Sequence, residues 1–353
     1  MSASKLRARG SYGDIRLYSA DSGGGRCDLD LSDNTNLWGA PPAALRVIRQ
    51  IAGSAVTRYP LPYAGDLRVE LAKYAGVSPD MIVTGCGSDD VLDASIRAFS
   101  EPGDALAHQD PTFSMIPVFA RMNGVTPVAV PLTDTFDIDP EALLATKARI
   151  TYICSPNNPT SVALSRDGVE KVVDGAAGLV IIDEAYSEFA GTTLVALVAS
   201  GRVIVTRTLS KAFGLAGLRV GYGIGAPEII SEIAKARGPY KVGGVAELAA
   251  TIALTHDRNW MLDGVQKSVA NRERFVGELE QLGFSPLKSS SNFVLVPVKD
   301  CAAAAKALAD KGIAVRPFQN LPGVGDAIRI TIAPWSMMDR CLVALDWYRA
   351  RSK

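Results

Sequence analysis

The stretch Val203-Ile204-Val205-Thr206-Arg207-Thr208-Leu209-Ser210-Lys211-Ala212-Phe213-Gly214, closed by Gly217-Leu218-Arg219, decides how the chain is read. Its β-branched start is a strand pattern, and the run delivers Lys211 to the strand's end between small hydroxyl residues. An amine in that place can condense with a carbonyl while Thr208, Ser210 and Arg219 grip a phosphate. A lysine taken alone is an exposed loop residue. Its neighbours carry the functional reading.

Working outward, three earlier segments end strands in the same manner. Val180-Ile181-Ile182-Asp183-Glu184-Ala185-Tyr186 is an apolar run closed by an acid, which sets a carboxylate at the carboxyl edge of an α/β sheet, where ligands bind. An aspartate there can keep a pyridine nitrogen protonated, and Tyr186 can bond a ring hydroxyl or simply pack in the core. Ser155-Pro156-Asn157-Asn158-Pro159-Thr160-Ser161 follows the strand pattern Thr151 to Cys154. Its prolines stiffen a turn whose amide can bond a ring oxygen. Gly85-Cys86-Gly87-Ser88-Asp89-Asp90 precedes a helical pattern. Gly85 and Gly87 permit close backbone approach there, and the following helix start offers free amides and a favourable dipole to a phosphate. Together the four segments supply what a phosphorylated, electron-withdrawing pyridine aldehyde requires.

The chain has 353 residues, with Lys plus Arg equal to Asp plus Glu at 37 each. That balance gives no positive field for nucleic acid or an anionic membrane. The cysteines, five and widely spaced, form no Cys-x-x-Cys pair, and only His108 and His256 are present, so no metal site is expected. The polar start leads into no apolar leader segment, and no later run has the length of a membrane span, so a soluble, cytoplasmic protein is expected.

From Met81 on, short apolar runs alternate with helical patterns, which reads as βαβ units on a parallel sheet covered on both faces. The runs ending at Cys154, Asp183, Thr208 and Gly225 continue that sheet. Residues 51–258 are assigned to this large domain. Residues 259–353 form a smaller α+β domain, with helices expected at Asn259 to Leu282, Cys301 to Lys311 and Ser336 to Arg349 and strands at Ser291 to Val298, Ile313 to Phe318 and Ala327 to Ala333. Gly23 to Gly25 reads as a flexible turn.

In this order, the segments resemble the fold-type-I pyridoxal-phosphate (PLP) aminotransferases, and most closely the histidinol-phosphate aminotransferase-like family. The string T-L-S-K-A-F-G-L-A-G-L-R is the most specific part. The resemblance implies an α/β fold with a mainly parallel central sheet, helices on both faces and a smaller α+β domain joined by an amino-terminal arm, residues 1–50. It implies PLP as cofactor, Lys211 as the Schiff-base lysine, Asp183 on the pyridine nitrogen, Asn158 and Tyr186 on the ring hydroxyl, and Ser88, Asp89, Thr208, Ser210 and Arg219 on the phosphate. Phe113, in Asp110-Pro111-Thr112-Phe113, would stack on the ring. Tyr59, in Arg58-Tyr59-Pro60, would reach the cofactor phosphate of a neighbouring subunit, hence a homodimer. Asn36, Arg316 and Arg329 would face the substrate. The reaction implied moves an amino group from histidinol phosphate or an aromatic amino acid to a 2-oxo acid such as 2-oxoglutarate.

The chain departs from the family pattern in three places: Ser161 stands where a glycine usually follows Asn-Pro-Thr, Ala333-Pro334 replaces Gly-Thr, and the amino-terminal arm lacks a clear P-Y-x-P-G segment. Competing readings are a decarboxylase of the same fold, resembling threonine-phosphate decarboxylase, and a nicotinamide oxidoreductase based on Gly221-x-Gly223-x-Gly225. The latter has the wrong spacing and falls late in the chain. A PLP-binding regulator would need a DNA-binding domain for which neither length nor charge provides.

Overall fold

The computed structural model describes residues 9–13, 15–17 and 27–351. The Gly23 to Gly25 turn and most of the polar start lie outside them. Twelve strands are present among the described residues: β1 (Leu29–Asp30), β2 (Ile82–Cys86), β3 (Ala105–Asp110), β4 (Thr126–Pro131), β5 (Ile150–Cys154), β6 (Leu179–Asp183), β7 (Val203–Thr208), β8 (Val220–Gly225), β9 (Phe293–Pro297), β10 (Ile313–Ala314), β11 (Arg316–Leu321) and β12 (Gly325–Thr331). Seven form the central sheet in the order β2-β8-β7-β6-β5-β3-β4.

The parallel part of this sheet follows from composition. In β5, β6 and β7 every residue is buried, as strands covered on both faces must be. Crossover helices such as Gly87–Phe99 and Arg166–Gly175 connect successive parallel strands. One strand differs from the sequence reading: β8 runs antiparallel to both neighbours, β2 and β7. The connection from Thr208 to Val220 is filled by the Lys211 turn and a single 3-10 turn, Ala216–Leu218, and has no crossover helix. A parallel return needs about a dozen residues or more, usually with a helix, so the chain turns straight back.

Two apolar clusters lie on opposite faces of the sheet, and a third lies under β9, β11 and β12, which form an antiparallel sheet of their own. Leu29 and Leu31 belong to that third cluster, and β1 pairs in parallel with β10. The Ile313 to Phe318 pattern is split at buried Val315: β10 takes β1 as partner, while β11 pairs with β12. The helices at the carboxyl side run Arg258–Gln281, Cys301–Ala309 and Trp335–Arg351. Gly283 stops the first of them at φ +76°, a left-handed conformation that costs glycine little.

The ends of β6 and β7 are tied together behind the sheet. Arg207 donates from Nε and Nη2 to Glu184 Oε2 at 3.0 and 2.8 Å, and Leu194 N donates to Oε1 at 2.5 Å. Only 2% of the Glu184 side chain is exposed. Replacing Arg207 with Met leaves this carboxylate buried without its cation, and a loss of about 3–5 kcal/mol is expected. Urea unfolding of the variant should show a lower midpoint at unchanged slope. A loss under about 1 kcal/mol would mean that the pair contributes no more than an exposed ion pair.

Candidate active site

The carboxyl ends of β2, β3, β5, β6 and β7 open on one cavity of about 300 Å³, closed on its far side by β11, β12 and the segment 33–34. Among its lining residues are Ser88, Asp89, Phe113, Asn158, Asp183, Tyr186, Thr208, Ser210, Lys211, Arg219, Arg316 and Arg329. Residues far apart in the sequence thus share a space the size of a small ligand.

One end of the cavity is a cup of donors. The helix Gly87–Phe99 starts there, leaving the Ser88 and Asp89 amides without partners in its first turn. Arg219, at φ +52°, hydrogen-bonds Ser210 Oγ through Nη1 and Asp89 Oδ2 through Nη2, at 3.4 and 3.1 Å. Thr208 Oγ1 donates to Ser210 Oγ at 2.8 Å. Two glycines make the cup possible by close approach. A Cβ on Gly87, which sits at φ +77°, would overlap the Arg219 guanidinium, and one on Gly221 would overlap Ser88 N. The donors, the guanidinium and the free helix end together suit a phosphate dianion.

At the other end Asp183 is buried. Tyr152 Oη donates to its Oδ2 at 2.9 Å and Ala185 N to its Oδ1 at 3.1 Å. Burial pushes this carboxyl up to about 6, opposed by the Tyr152 bond. A cation facing it would offset that desolvation, and a protonated pyridine nitrogen is such a cation. Lys211 Nζ donates to Asp33 O at 2.9 Å. Burial, then Arg329, brings its ammonium down to about 8, with Asp33 and Asp89 acting in the opposite direction.

That lowering has a measurable consequence, because only the free amine attacks an aldehyde. Cofactor-free protein mixed with pyridoxal phosphate should gain visible absorbance faster as pH rises, levelling off above about 8. An ordinary lysine, near 10.5, would still be accelerating there. A rate that keeps climbing to pH 10 would contradict the lowered amine.

Between the two ends, Tyr186 Oη accepts from Asn34 Nδ2 at 3.1 Å, and Asn158 Oδ1 accepts from Arg329 Nη1 at 2.6 Å. Arg329 also donates to Ser32 O at 2.6 Å, and its guanidinium packs against the Phe293 and Phe318 rings. Asn36 is placed elsewhere. Its side chain sits behind the cavity wall, donating to Ala212 O and accepting from Trp38 N, and Asn34 occupies the wall position. Asn34 has φ +55°, which turns the side chain two residues earlier into the cavity, and nothing in the sequence pattern distinguishes the two asparagines. Tyr59 is 85% exposed, against the Tyr240 ring, and does not line this cavity.

Residues that the sequence reading did not single out are Asp33, Asn34, Tyr152, Thr112, Ser114 and Phe318. Tyr152 carried a signal, since it lies two positions before the end of a strand whose neighbour ends in Asp183; the register Cys154↔Asp183 brings them together. The Ser161 departure is also explained. The residue adopts φ +68°, and its Oγ joins Ser289 Oγ, Ser291 Oγ and Phe293 O, bonds a glycine would lack.

Among the described residues no helix is long and apolar enough to cross a membrane, and no cluster of His, Cys, Asp and Glu is suited to a metal ion. The family model for aminotransferase class I and II matches residues 27–345. A histidinol-phosphate aminotransferase of Roseiflexus castenholzii is 38% identical over 331 residues, covering 90% of this chain and 88% of that one. One of Thermoanaerobacter pseudethanolicus is 35% identical over 301 residues, covering 83% and 85%. Among solved structures, histidinol-phosphate aminotransferase from Sinorhizobium meliloti, in complex with pyridoxal-5'-phosphate, superposes with a TM-score of 0.87 at 28% identity, covering 99% of this chain and 100% of that one. These aminotransferase relatives do not favour the decarboxylase alternative. The cofactor is pyridoxal phosphate, which the donor cup and the buried acid fit, and the enzyme is an aminotransferase. With the donor cup, the buried acid and a low-pKa amine on one sheet edge, and with the family match spanning most of its length, the chain belongs to the aminotransferase class I and II family.

Proposed function

We propose that this aminotransferase takes histidinol phosphate as amino donor and a 2-oxo acid, 2-oxoglutarate, as acceptor. The observation that carries the choice of donor is the pair of arginines, Arg316 and Arg329, in the same cavity as Lys211, with Phe318 beside them. A guanidinium is the group that binds phosphate or carboxylate with two parallel bonds, and an aromatic wall suits an imidazole ring. The names of the Roseiflexus and Thermoanaerobacter relatives support the same donor.

In this reading Lys211 holds the cofactor covalently, and Gly87, Ser88, Asp89, Thr208, Ser210 and Arg219 hold its phosphate. Asp183 faces the ring nitrogen, Asn158 and Tyr186 face the ring hydroxyl, and Phe113 stacks on the ring. When bound, the cofactor supplies an electron sink for the carbanion at the donor's α-carbon. Lys211 would act as the base: its neutral amine would take the proton from that carbon at Nζ and hold it for return. Arg329 and Arg316 would fix the donor's anion and so orient its α-carbon toward Lys211. The shell around Tyr186, Asn158 and Arg329 excludes bulk water from the reacting centre. Asn36 acts indirectly, by bracing Ala212 next to the lysine.

The same reading divides the chain into an arm (1–50), a large domain (51–258) and a small domain (259–353). It pairs two copies, because Tyr59 stands on the surface away from its own cavity and is free to reach the cofactor phosphate of a second copy. The cysteines, all five unpaired, suit a reducing cytoplasm.

Steady-state kinetics with 2-oxoglutarate would compare histidinol phosphate with histidinol and phenylalanine. Removing the phosphate should lower kcat/KM by about 10²-fold or more, the scale of a two-bond charge-assisted clamp. Replacing Arg329 with Met should bring the two histidinol substrates close together. Equal kcat/KM for both in the native enzyme would sink the phosphate-donor reading and leave the aminotransferase intact.

A further inference from the structure

A second cavity, of about 400 Å³, lies at the outer edge of the central sheet, between β2, the helix Pro227–Arg237 and the turn that carries Tyr63. It is lined by Arg68, Arg237, Tyr63 and Thr84, with apolar carbon from Pro227 and Ile230. Arg237 is only 3% exposed. Its Nη2 makes a long bond of 3.4 Å to Thr84 Oγ1, and its guanidinium faces the Tyr63 ring at 5.6 Å. Its Nε and Nη1 are buried with no protein acceptor, and so is Nε of Arg68, whose Nη2 donates to Pro79 O at 2.8 Å. Three buried donors without acceptors therefore belong to two guanidinium groups lining one cavity.

Such a cluster is costly without an acceptor. Each orphaned donor forfeits its hydration, and charged donors forfeit more. Burial and then the neighbouring Arg68 count against the charge on Arg237, with Asp90 and Tyr63 favouring it. The acid in the lining, Asp80, is exposed, and Lys235 at the rim is already bonded to Glu232 at 2.5 Å. Arg237 also ends its helix, where the backbone carbonyls repel an anion, so binding here must rest on the two guanidinium groups.

We infer that this cavity is a second binding site, for a small oxyanion, phosphate or carboxylate, held by Arg237 and Arg68. The forked donors fit either anion, and the apolar wall at Pro227 and Ile230 accommodates a short carbon body. Thr84 lies three residues before Gly87, where the cofactor cup begins, on the strand that leads into it. It shares no lining residue with the active-site cavity.

The test uses PLP-loaded enzyme, so that the cofactor cup is already filled. Inorganic phosphate and succinate are titrated separately by calorimetry at constant ionic strength. A saturable component is expected for at least one of them, and which one binds identifies the anion. Arg237→Met should weaken that component about tenfold or more, the loss of one charge-assisted bond, while KM for the amino donor stays unchanged. Arg68→Met should weaken it as well, and decides the matter if the first variant does not fold. Identical isotherms in the native enzyme and both variants would overturn the inference. So would the absence of saturable binding, or a shift of the oligomer equilibrium in Arg237→Met with no anion effect, which would assign the arginine to a carboxylate of a second copy.

Discussion

Replacing Lys211 with alanine should reduce turnover by at least about 10⁴-fold, since in the proposed mechanism one group serves two tasks, covalent attachment and proton transfer. Lys211 is the sole lysine that lines the active-site cavity among the described residues, so no other primary amine can take its place. The donor cup is untouched by the change, and the variant should still bind pyridoxal phosphate noncovalently. Borohydride treatment of the loaded native enzyme, followed by peptide mass mapping, should place the reduced cofactor on Lys211. In the variant no peptide should carry it. A label elsewhere, or activity within tenfold of the native enzyme, would end the assignment.

The second large effect is expected from Asp183→Asn. The amide keeps the size and can keep a hydrogen bond from Tyr152, but it lacks the charge that, in the proposed function, holds a proton on the ring nitrogen. With a carboxyl pushed up to about 6 by burial, the native side chain is already largely ionised at pH 7, and a cation opposite would draw it lower. Loss of that charge should cost about 10²–10³-fold in kcat, the size seen when one electrostatic partner of a developing charge is removed. The KM for the acceptor should change far less, because the proposed anion clamp, Arg316 and Arg329, is left unaltered. Asp183→Glu, which keeps the charge and misplaces it, should fall between the two. A kcat for Asp183→Asn near the native value would show that the acid is structural.

Much of the fold is legible in the sequence because its signals are local. Apolar runs such as Leu179 to Asp183 leave few alternatives to a doubly covered strand, and Gly283 marks a helix end without reference to anything distant. The antiparallel β8 was hidden in the same way that it was written: the pattern of Val220 to Gly225 gives burial but not direction. Direction depends on what fits between Thr208 and Val220, and there the chain spends its residues on the Lys211 turn. Tyr152 shows a similar limit, because it meets Asp183 through the register of two strands, and register is a property of the pair.

What the sequence by itself determined was the order of chemical groups at strand ends, a glycine-backed helix start, an Asn-Pro turn, an acid, a hydroxyl-flanked lysine and an arginine, since each is fixed by its own neighbours. The tertiary structure alone decided that Asn34 and not Asn36 faces the cavity, that Ser161 finds hydroxyl partners 128 and 130 residues away, and that Arg68 and Arg237 share a pocket. The physical reason is one of range. Propensity and periodicity act over a few residues, whereas a single left-handed dihedral or a strand register redirects side chains that meet only after the whole chain has packed.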